Sequence, residues 1–385
     1  MGDMMKIAIC LAVKNEKDDI PYWVAWHSSI GFDSFFIYDD QSSDSTSYVI
    51  NSLREKYDIR LKNVREDRDD HVIRQVDIYN SCLSEAKEDF DWLCFIDSDE
   101  YVYIDSGSIK SFLQQMPEDA GCVALNWCCF GTNGHLSRPE GSPIFSYRKH
   151  GNNTEYWNNH TKVIIRPRSV NGDITYVHNA PVTGRTLTSD GKDVVWTTIF
   201  GGFTAQSPNW ENARLLHFQT RSLENYIRRY KDMEIHRRQN AGDPVHDVMN
   251  SKLYDAEFMQ IDNAIISKYS DELMILVDAQ LKYIEKLMKS TSIMEIKLLA
   301  ERLDLSRFDV FVPARDHKTH QLETRCVSIH NYGGINIDAD VSVLRLKAHT
   351  GASLFIDETD RSRRIILLRL SFLVSMFKVR VIFIL

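Results

Sequence analysis

Between Lys6 and about His178 short apolar runs alternate with amphipathic stretches. That alternation leaves few folds open, because strands that return through helices build a largely parallel sheet with helices on its faces. The expected fold class is therefore α/β. Ile7 to Val13 reads as the first strand, Ile20 to Ile30 as a helix, and Ser34 to Tyr38 as the second strand. Thr46 to Lys56 reads as a helix introduced by the Ser/Asp-rich turn QSSDS, since such residues favour helix starts and turns. Val72 to Ala86 reads as a helix and Trp92 to Ile96 as a short strand that stops at the acidic cluster DSDE. From Cys122 to His178 the runs CVALNW, PIFSY, KVIIRP and ITYVH, separated by Gly, Pro and Asn turns, predict a mixed or antiparallel extension of the sheet. ARLLHF reads as a further strand, followed by a charged amphipathic helix from about Ser222 to Arg238.

The expected organisation is an α/β domain over residues 1–240, a helical segment over 241–304 opened by the Ala-Gly-Asp-Pro linker, and a small β-rich appendage over 305–385 with incomplete last strands. The pieces RCVSIHN, GINIDA, SVLRLKA and SLFIDE carry that appendage. The closing stretch ILLRLSFLVSMFKVRVIFIL is apolar, but Arg369, Lys378 and Arg380 interrupt it, and a spanning helix needs about 20 apolar residues. It reads as a buried or edge strand pair, with peripheral contact on the inner face of a membrane as the alternative. The opening MGDMMKIAICLAV lacks the long apolar core and cleavage site of an export signal, so a cytoplasmic location is expected. The seven cysteines show neither zinc spacing nor a disulfide framework, which points to reduced thiols. A formal net charge of -8 argues against nucleic acid as a partner, which would need a clustered basic surface.

The chemistry concentrates at FIDSDEYV, where Asp97 and Asp99 follow a hydrophobic strand. Open α/β sheets bind ligands in the crevice beyond the carboxyl ends of their strands. Two carboxylates one residue apart can approach a hard divalent cation, Mn2+ or Mg2+, whose remaining positions a nucleotide diphosphate fills. Against this stands the simpler reading of an acidic turn that only caps a helix.

The segments AVKNEKDDIPYWVAWHSSIGFDSFFIYDDQSSDST and WLCFIDSDEYV, in that order, decide the matter. They resemble the donor-binding half of glycosyltransferase family 2-like enzymes, and the KNE, Trp23-x-x-x-His27 and IYDDQSSDST wording is similar to glycosyltransferase family 92 and its bacterial relatives. The resemblance covers roughly residues 6–230, including Trp127, FGTNGH, RPEG, KVIIRP and LLHFQTRSLENYIRRY. It implies a GT-A fold and a metal-assisted, inverting transfer of a sugar from a UDP- or GDP-sugar to a hydroxyl of a glycan or lipid-linked acceptor. By the same resemblance Asp40 contacts the nucleotide base, Asn15 and Glu16 frame the nucleoside, Asp97 lies near ribose and diphosphate, Asp99 binds the metal, and His217 is a further metal or diphosphate ligand, with His178 as its competitor. Ser43 and Asp44 are expected to cap the following helix.

Lys162 and Arg166 fall at strand edges in this reading, where either can meet phosphate oxygens or form an exposed ion pair. The preferred base for activating the acceptor hydroxyl is Glu140, with His135 behind it. Trp127, Trp157 and His160 are candidates for an acceptor platform, because sugar rings present apolar faces to aromatic groups. Two other classes compete. A haloacid-dehalogenase-like phosphotransferase also places an Asp-x-Asp motif after a strand, but normally the first strand of its domain, with Thr or Val where Tyr101 stands here. A non-catalytic carbohydrate-binding protein explains the aromatic content but leaves IYDDQSSDST and FIDSDE without a common purpose.

Overall fold

The computed structural model describes residues 5–64, 71–139, 141–197, 201–232 and 254–289, together with six strands beyond them. The chain divides into two compact units, Met1–Ala279 and Gln280–Leu385. The division falls inside a helix, Asn263–Lys289, rather than at the linker at 241–244, which lies outside the described residues.

The first unit is α/β. Its elements in chain order are β1 (Ile7–Val13), α1 (Ile20–Ser29), β2 (Ser34–Asp39), α2 (Thr46–Leu53), β3 (Asp58–Asn63), α3 (His71–Ala86), β4 (Trp92–Phe95), β5 (Glu100–Ile104), α4 (Ile109–Leu113) and β6 (Ala120–Cys129). There follow α5 (Pro143–Ser146), β7 (Lys149–His150), β8 (Thr161–Ile165), β9 (Arg185–Leu187), β10 (Ala213–His217), α6 (Leu223–Asp232), β11 (Glu257–Phe258) and α7 (Asn263–Lys289). One sheet runs β3-β2-β1-β4-β8-β6-β10-β5, with β9 paired to β6. Strands β3, β2, β1 and β4 are mutually parallel, β8 is antiparallel to both β4 and β6, β10 runs parallel to β6, and β5 closes the edge antiparallel to β10. The expected mixed extension is thus present.

The central strands are buried on both faces, and their side chains alternate between them. Ala8, Cys10, Phe36, Tyr38, Leu93, Phe95, Val163 and Ile165 turn to one face, where Ile78, Tyr79, Cys82 and Ala86 of α3 cover them. The apolar stripe of α3 recurs every three to four residues, which is why that helix lies flat on the sheet. On α1 every residue from Ile20 to His27 is buried. Its two indoles anchor it across β5, Trp23 Nε1 donating to the Glu100 carbonyl at 2.9 Å and Trp26 Nε1 to that of Val102 at 2.7 Å. Gly31 follows at φ 104°, a left-handed conformation that glycine adopts without steric penalty.

Three sequence expectations are corrected, and one strand had no sequence signal. The run PIFSY is not a strand: Ser142 caps a helical turn, accepting from the Ile144 N–H, with Pro143 at the first helical position, and this start signal outweighs the apolar pattern. The run ITYVH forms no strand either, because Asn80 of α3 takes both backbone groups of Ile174, at 2.8 Å each. The helix expected to reach Lys56 ends at Leu53. The acidic stop after β4 is immediately followed by another strand, β5, whose partner β10 lies far along the chain and gives no local signal.

The second unit holds a six-stranded antiparallel sheet in the order β13-β12-β14-β15-β16-β17. Its strands are β12 (Phe308–Arg315), β13 (Leu322–Ser328), β14 (Val343–Ala348), β15 (Ala352–Asp357), β16 (Ile365–Leu370) and β17 (Val381–Ile384). The apolar closing stretch contributes the β16–β17 pair, while GINIDA lies outside the described residues. Among the described residues no helix is long and apolar enough to cross a membrane, and the six described cysteines of the first unit are unbonded and buried.

Candidate functional site

In the strand order β3-β2-β1-β4 the chain leaves β1 in one direction to β2 and returns on its other side at β4. That reversal opens a crevice at the carboxyl ends of β1 and β4, the usual ligand position in such sheets. Asn15 and Glu16 follow β1, Asp40 follows β2, and Asp97 and Asp99 follow β4. Since β2 and β4 both flank β1, Asp40 and Asp97 leave strands separated by roughly 10 Å, two strand spacings. The candidates thus share one edge of one sheet.

Asn15 adopts a left-handed conformation, φ 56°, and its Oδ1 accepts from the Ser43 and Asp44 N–H groups at 2.8 and 3.3 Å. This ties the loop after β1 to the QSSDS turn. Asp44 accepts from Thr46 N–H at 2.9 Å, a turn contact just ahead of α2, whose N-cap is Ser45 with no side-chain cap, and Ser43 is engaged by Asn15. Asp40 is nearly buried and receives a two-pronged ion pair from Arg74 of α3, with Nε and Nη2 at 2.9 and 2.8 Å. Glu16 pairs with Arg221 at 2.7 Å. The same guanidinium reaches Asp19 at 2.7 Å, and Arg138 holds Asp19 from the other side at 2.7 Å. Arg221 and Arg138 stitch the loops after β10 and β6 to the start of α1.

Around the acidic turn the two aspartates have separate cations. Asp97 Oδ2 lies 3.0 Å from Lys162 Nζ, and its Oδ1 accepts from Gln75 Nε2 at 2.6 Å. Burial by itself raises the Asp97 carboxyl, but Lys162 outweighs it and holds the group below its ordinary range. Asp99 is 2% exposed; its Oδ2 meets the Arg229 guanidinium and lies 3.6 Å from His217 Nε2. Burial again pushes upward, and Arg229 and His217 together hold the carboxyl well below the usual range. Glu100 behaves in the opposite way. It is fully buried, with Lys162 at 3.9 Å and both aspartates nearby, and burial drives its carboxyl well above the ordinary value.

The structure brings together Asn15, Glu16, Asp40, Asp97, Asp99, His217 and Lys162, but it changes the part of Lys162. Strand β8 is not an edge; it runs between β4 and β6. Lys162 is therefore 1% exposed and turned to Asp97 and Glu100 rather than toward solvent. Arg166 is removed from the site altogether. Because β8 runs antiparallel to β4, Lys162 stands near the carboxyl end of β4 and Arg166 near its amino end, roughly 13 Å farther along at about 3.3 Å per residue. There Arg166 stacks on Trp92, 4.3 Å from the ring centre, and donates to the Ala120 carbonyl. His135 is also differently placed. Its Nε2 lies 3.1 Å from the Ser146 carbonyl, which can only accept, so this nitrogen carries the proton and is no base. Glu140 lies outside the described residues. His178 bonds through Nδ1 to the Thr161 carbonyl.

Sequence reasoning missed Arg74, Gln75, Arg221 and Arg229, the partners of Asp40, Asp97, Glu16 and Asp99. A signal existed: Arg74 and Gln75 precede Tyr79 on the buried stripe of α3, and Arg221 and Arg229 belong to the LLHFQTRSLENYIRRY run. Such residues are rarely buried unless paired.

The donor set suits a hard divalent ion, which commonly takes one or two protein carboxylates and completes its shell with phosphate oxygens and water. Among the described residues no group of three acidic, histidine or cysteine side chains is placed to hold a metal ion.

The family model of glycosyltransferase family 92 matches residues 6–290. A family 92 protein of Oryza sativa subsp. japonica is 25% identical over 177 residues, 45% of this chain and 29% of that one. A family 92 protein of Ricinus communis is 27% identical over 179 residues, 45% of this chain and 31% of that one. The chain therefore spans less than a third of the length of these relatives. Among solved structures, S. aureus TarS 1–349 in complex with UDP-GlcNAc is 16% identical, covering 42% of this chain and 46% of that chain with a TM-score of 0.29. Longer TarS is 12% identical over 98% of this chain and 77% of that one, with a TM-score of 0.31.

Proposed function

The chain belongs to glycosyltransferase family 92, and from that premise we propose that it transfers a sugar from a UDP- or GDP-linked donor to a hydroxyl of a glycan or lipid-linked acceptor, with inversion and with the help of Mn2+ or Mg2+. One observation carries the reading: Asn15, Glu16, Asp40, Asp97 and Asp99 stand at the carboxyl ends of three adjacent parallel strands, at the reversal of strand order. A nucleoside fits the polar side of that crevice, at Asn15, Glu16 and Asp40. Its diphosphate then extends toward β4.

In this reading Asp97 and Asp99 hold the metal, with His217 beside Asp99. A bound ion would supply positive charge against that developing on the departing nucleoside diphosphate. Lys162 keeps Asp97 ionised and fixed, because a partly buried carboxylate without a cation takes up a proton more readily. Arg229, 42% exposed at its side chain, can leave Asp99 and turn to phosphate oxygens, for which its planar fork is suited. The catalytic base is a carboxylate near the acceptor hydroxyl, for which Glu140 remains the proposal.

The test is thermal stabilisation by UDP or GDP with and without Mn2+, on the parent chain and on Asp99→Asn. Stabilisation that needs both nucleotide and metal, and that Asp99→Asn abolishes while the far-ultraviolet circular dichroism is unchanged, supports the assignment. Full stabilisation of Asp99→Asn rules out this site. A phosphotransferase would instead release phosphate from small phosphoesters, and a carbohydrate-binding protein would ignore the nucleotide.

A further inference from the structure

Arg221 stands in a backbone conformation that usually falls to glycine. Its φ is 51°, in the left-handed region that favours a residue without a β-carbon. The turn redirects the chain from β10 into α6: Ser222 Oγ accepts from Asn225 N–H at 3.2 Å, and the Ser222 carbonyl accepts from Tyr226 N–H at 3.0 Å. The side chain is as unusual as the backbone. Arg221 is 6% exposed, and its buried Nε has no hydrogen-bond partner among the described residues. A turn by itself asks for neither an arginine nor an orphaned donor, and both cost stability, so the position is set by what the guanidinium holds.

It holds two loops of the crevice together. Nη1 lies 2.7 Å from Glu16 Oε2 and 2.7 Å from Asp19 Oδ2, and Nη2 donates to the Ser98 carbonyl at 3.4 Å. Glu16 belongs to the loop after β1 and is tied through its own N–H to Thr46 Oγ1 at 2.9 Å. Ser98 sits between the two aspartates of the acidic turn after β4. Strands β1 and β4 are neighbours, so one side chain from beyond β10 closes the gap between their loops. Asp19 does not require it, since Arg138 already holds that carboxylate at 2.7 Å. The segment that carries Arg221 is itself fixed to the acidic turn, because Phe218 N–H donates to the Asp99 carbonyl at 2.8 Å.

We infer that Arg221 is a positioning residue of the crevice, which spans the loop after β1 and the acidic turn after β4 and so fixes the separation between the nucleoside and diphosphate ends of the donor site. This deepens the proposed transferase reading and rests on it for the identity of the occupant. The task suits an arginine. Its planar fork offers donors in fixed directions to a carboxylate and a carbonyl at once, whereas the ammonium of a lysine is a compact point charge. Nucleotide affinity then depends on the fork and not on the charge alone, because a site held at its bound spacing spends less of the binding energy on ordering its loops.

Three variants of the full chain test the inference: Arg221→Lys, Arg221→Ala and Arg138→Ala. The acidic turn is read without any ligand from the indole N–H resonance of Trp23, which donates to the Glu100 and Asp97 carbonyls at 2.9 and 3.2 Å; Trp23→Phe assigns it among the seven tryptophans. Affinity for UDP and GDP with Mn2+ is read by calorimetry. Arg221→Lys should move the Trp23 resonance and weaken the bound nucleotide about tenfold, the loss of one charged hydrogen bond, and Arg221→Ala should do so at least as strongly. Arg138→Ala also takes a cation from Asp19, but among the described residues it reaches neither Glu16 nor Ser98, so the resonance should stay and the affinity should remain within about twofold of the parent. If Arg221→Ala does not fold, Arg221→Lys, which keeps the charge, carries the test. An unmoved resonance with unchanged affinity in Arg221→Lys overturns the inference, as does an equal effect of Arg138→Ala, because the arginine would then be one ion pair among others. A parent chain that binds neither nucleotide, with a Trp23 resonance that still moves in the Arg221 variants and not in Arg138→Ala, keeps the positioning role and removes the transferase reading.

Discussion

Lys162→Met is the sharpest probe of how the acidic turn is held. The lysine is 1% exposed and serves Asp97 at 3.0 Å and Glu100 at 3.9 Å. Methionine keeps the length of the stem and removes the charge. Breaking a buried pair by deleting one partner costs about 3–5 kcal/mol, but the Asp97 side chain is 33% exposed, so screening by water brings the expected loss to about 3 kcal/mol. At about 2 °C per kcal/mol for a unit of this size, the melting temperature should fall by roughly 6 °C. All seven tryptophans lie within Met1–Ala279, so intrinsic fluorescence reports the unfolding of this unit alone. The loss should also depend on pH. Burial lowers the lysine's pKa, but Asp97 and Glu100 outweigh it and keep it well above its ordinary value, so Lys162 stays charged from about pH 5 to about pH 7.5. In the variant Asp97 and Glu100 lack their cation; the Asp97 carboxyl, held low in the parent, rises, and that of Glu100, already above its unfolded value, rises further. Folded chains then bind more protons than unfolded ones, so stability drops as pH rises, and the deficit is larger near pH 7.5 than near pH 5. Adding Asp97→Asn to Lys162→Met should recover part of the loss, because it removes a carboxylate that has lost its cation. A melting temperature within about 1 °C of the parent at pH 7.5, or a deficit that grows on acidification, refutes the argument.

Asp40→Ala removes the carboxylate that Arg74 grips with two nitrogens, and it should weaken UDP or GDP affinity by about tenfold or more while Mn2+ binding alone is unchanged in calorimetry; an unaltered nucleotide affinity takes Asp40 out of the pocket. His27 is buried and neutral, with burial pulling its pKa down to about 3; its Nδ1 donates to the Trp23 carbonyl at 2.8 Å and its Nε2 accepts from Val102 N–H at 3.2 Å. A base depressed in this way contributes stability above its unfolded value of about 6.5 that is lost as pH falls toward the folded one, so the advantage of the parent over His27→Gln in urea melts should shrink by about 2 kcal/mol between pH 6.5 and pH 5. A constant difference would show that His27 titrates normally. Gly184→Ala should destabilise the first unit by about 2 kcal/mol or more, because φ is 94° there and an added Cβ would stand 2.4 Å from the Asp119 carbonyl oxygen; a melting temperature equal to that of the parent would contradict the close approach.

Local chemistry determined what can be read without a fold. Short continuous apolar runs gave β1, β2 and β4 their places, the stripe of α3 announced its helix, and the acids of FIDSDE and IYDDQSS stood where strands stop, because strand, helix and turn preferences act within a few residues. Where one short signal opposed another, as at Ser142-Pro143 within PIFSY, the stronger start signal prevailed and the strand reading failed. What only the tertiary structure decided is which charges meet. Arg74, Lys162, Arg221 and Arg229 reach Asp40, Asp97, Glu16 and Asp99 across separations of 34 to 205 residues, and the insertion of β8 between β4 and β6 turned Lys162 inward while sending Arg166 to the far end of the sheet. Pairing of this kind is set by strand order, and strand order follows from the burial of the whole sheet rather than from any stretch of its chain.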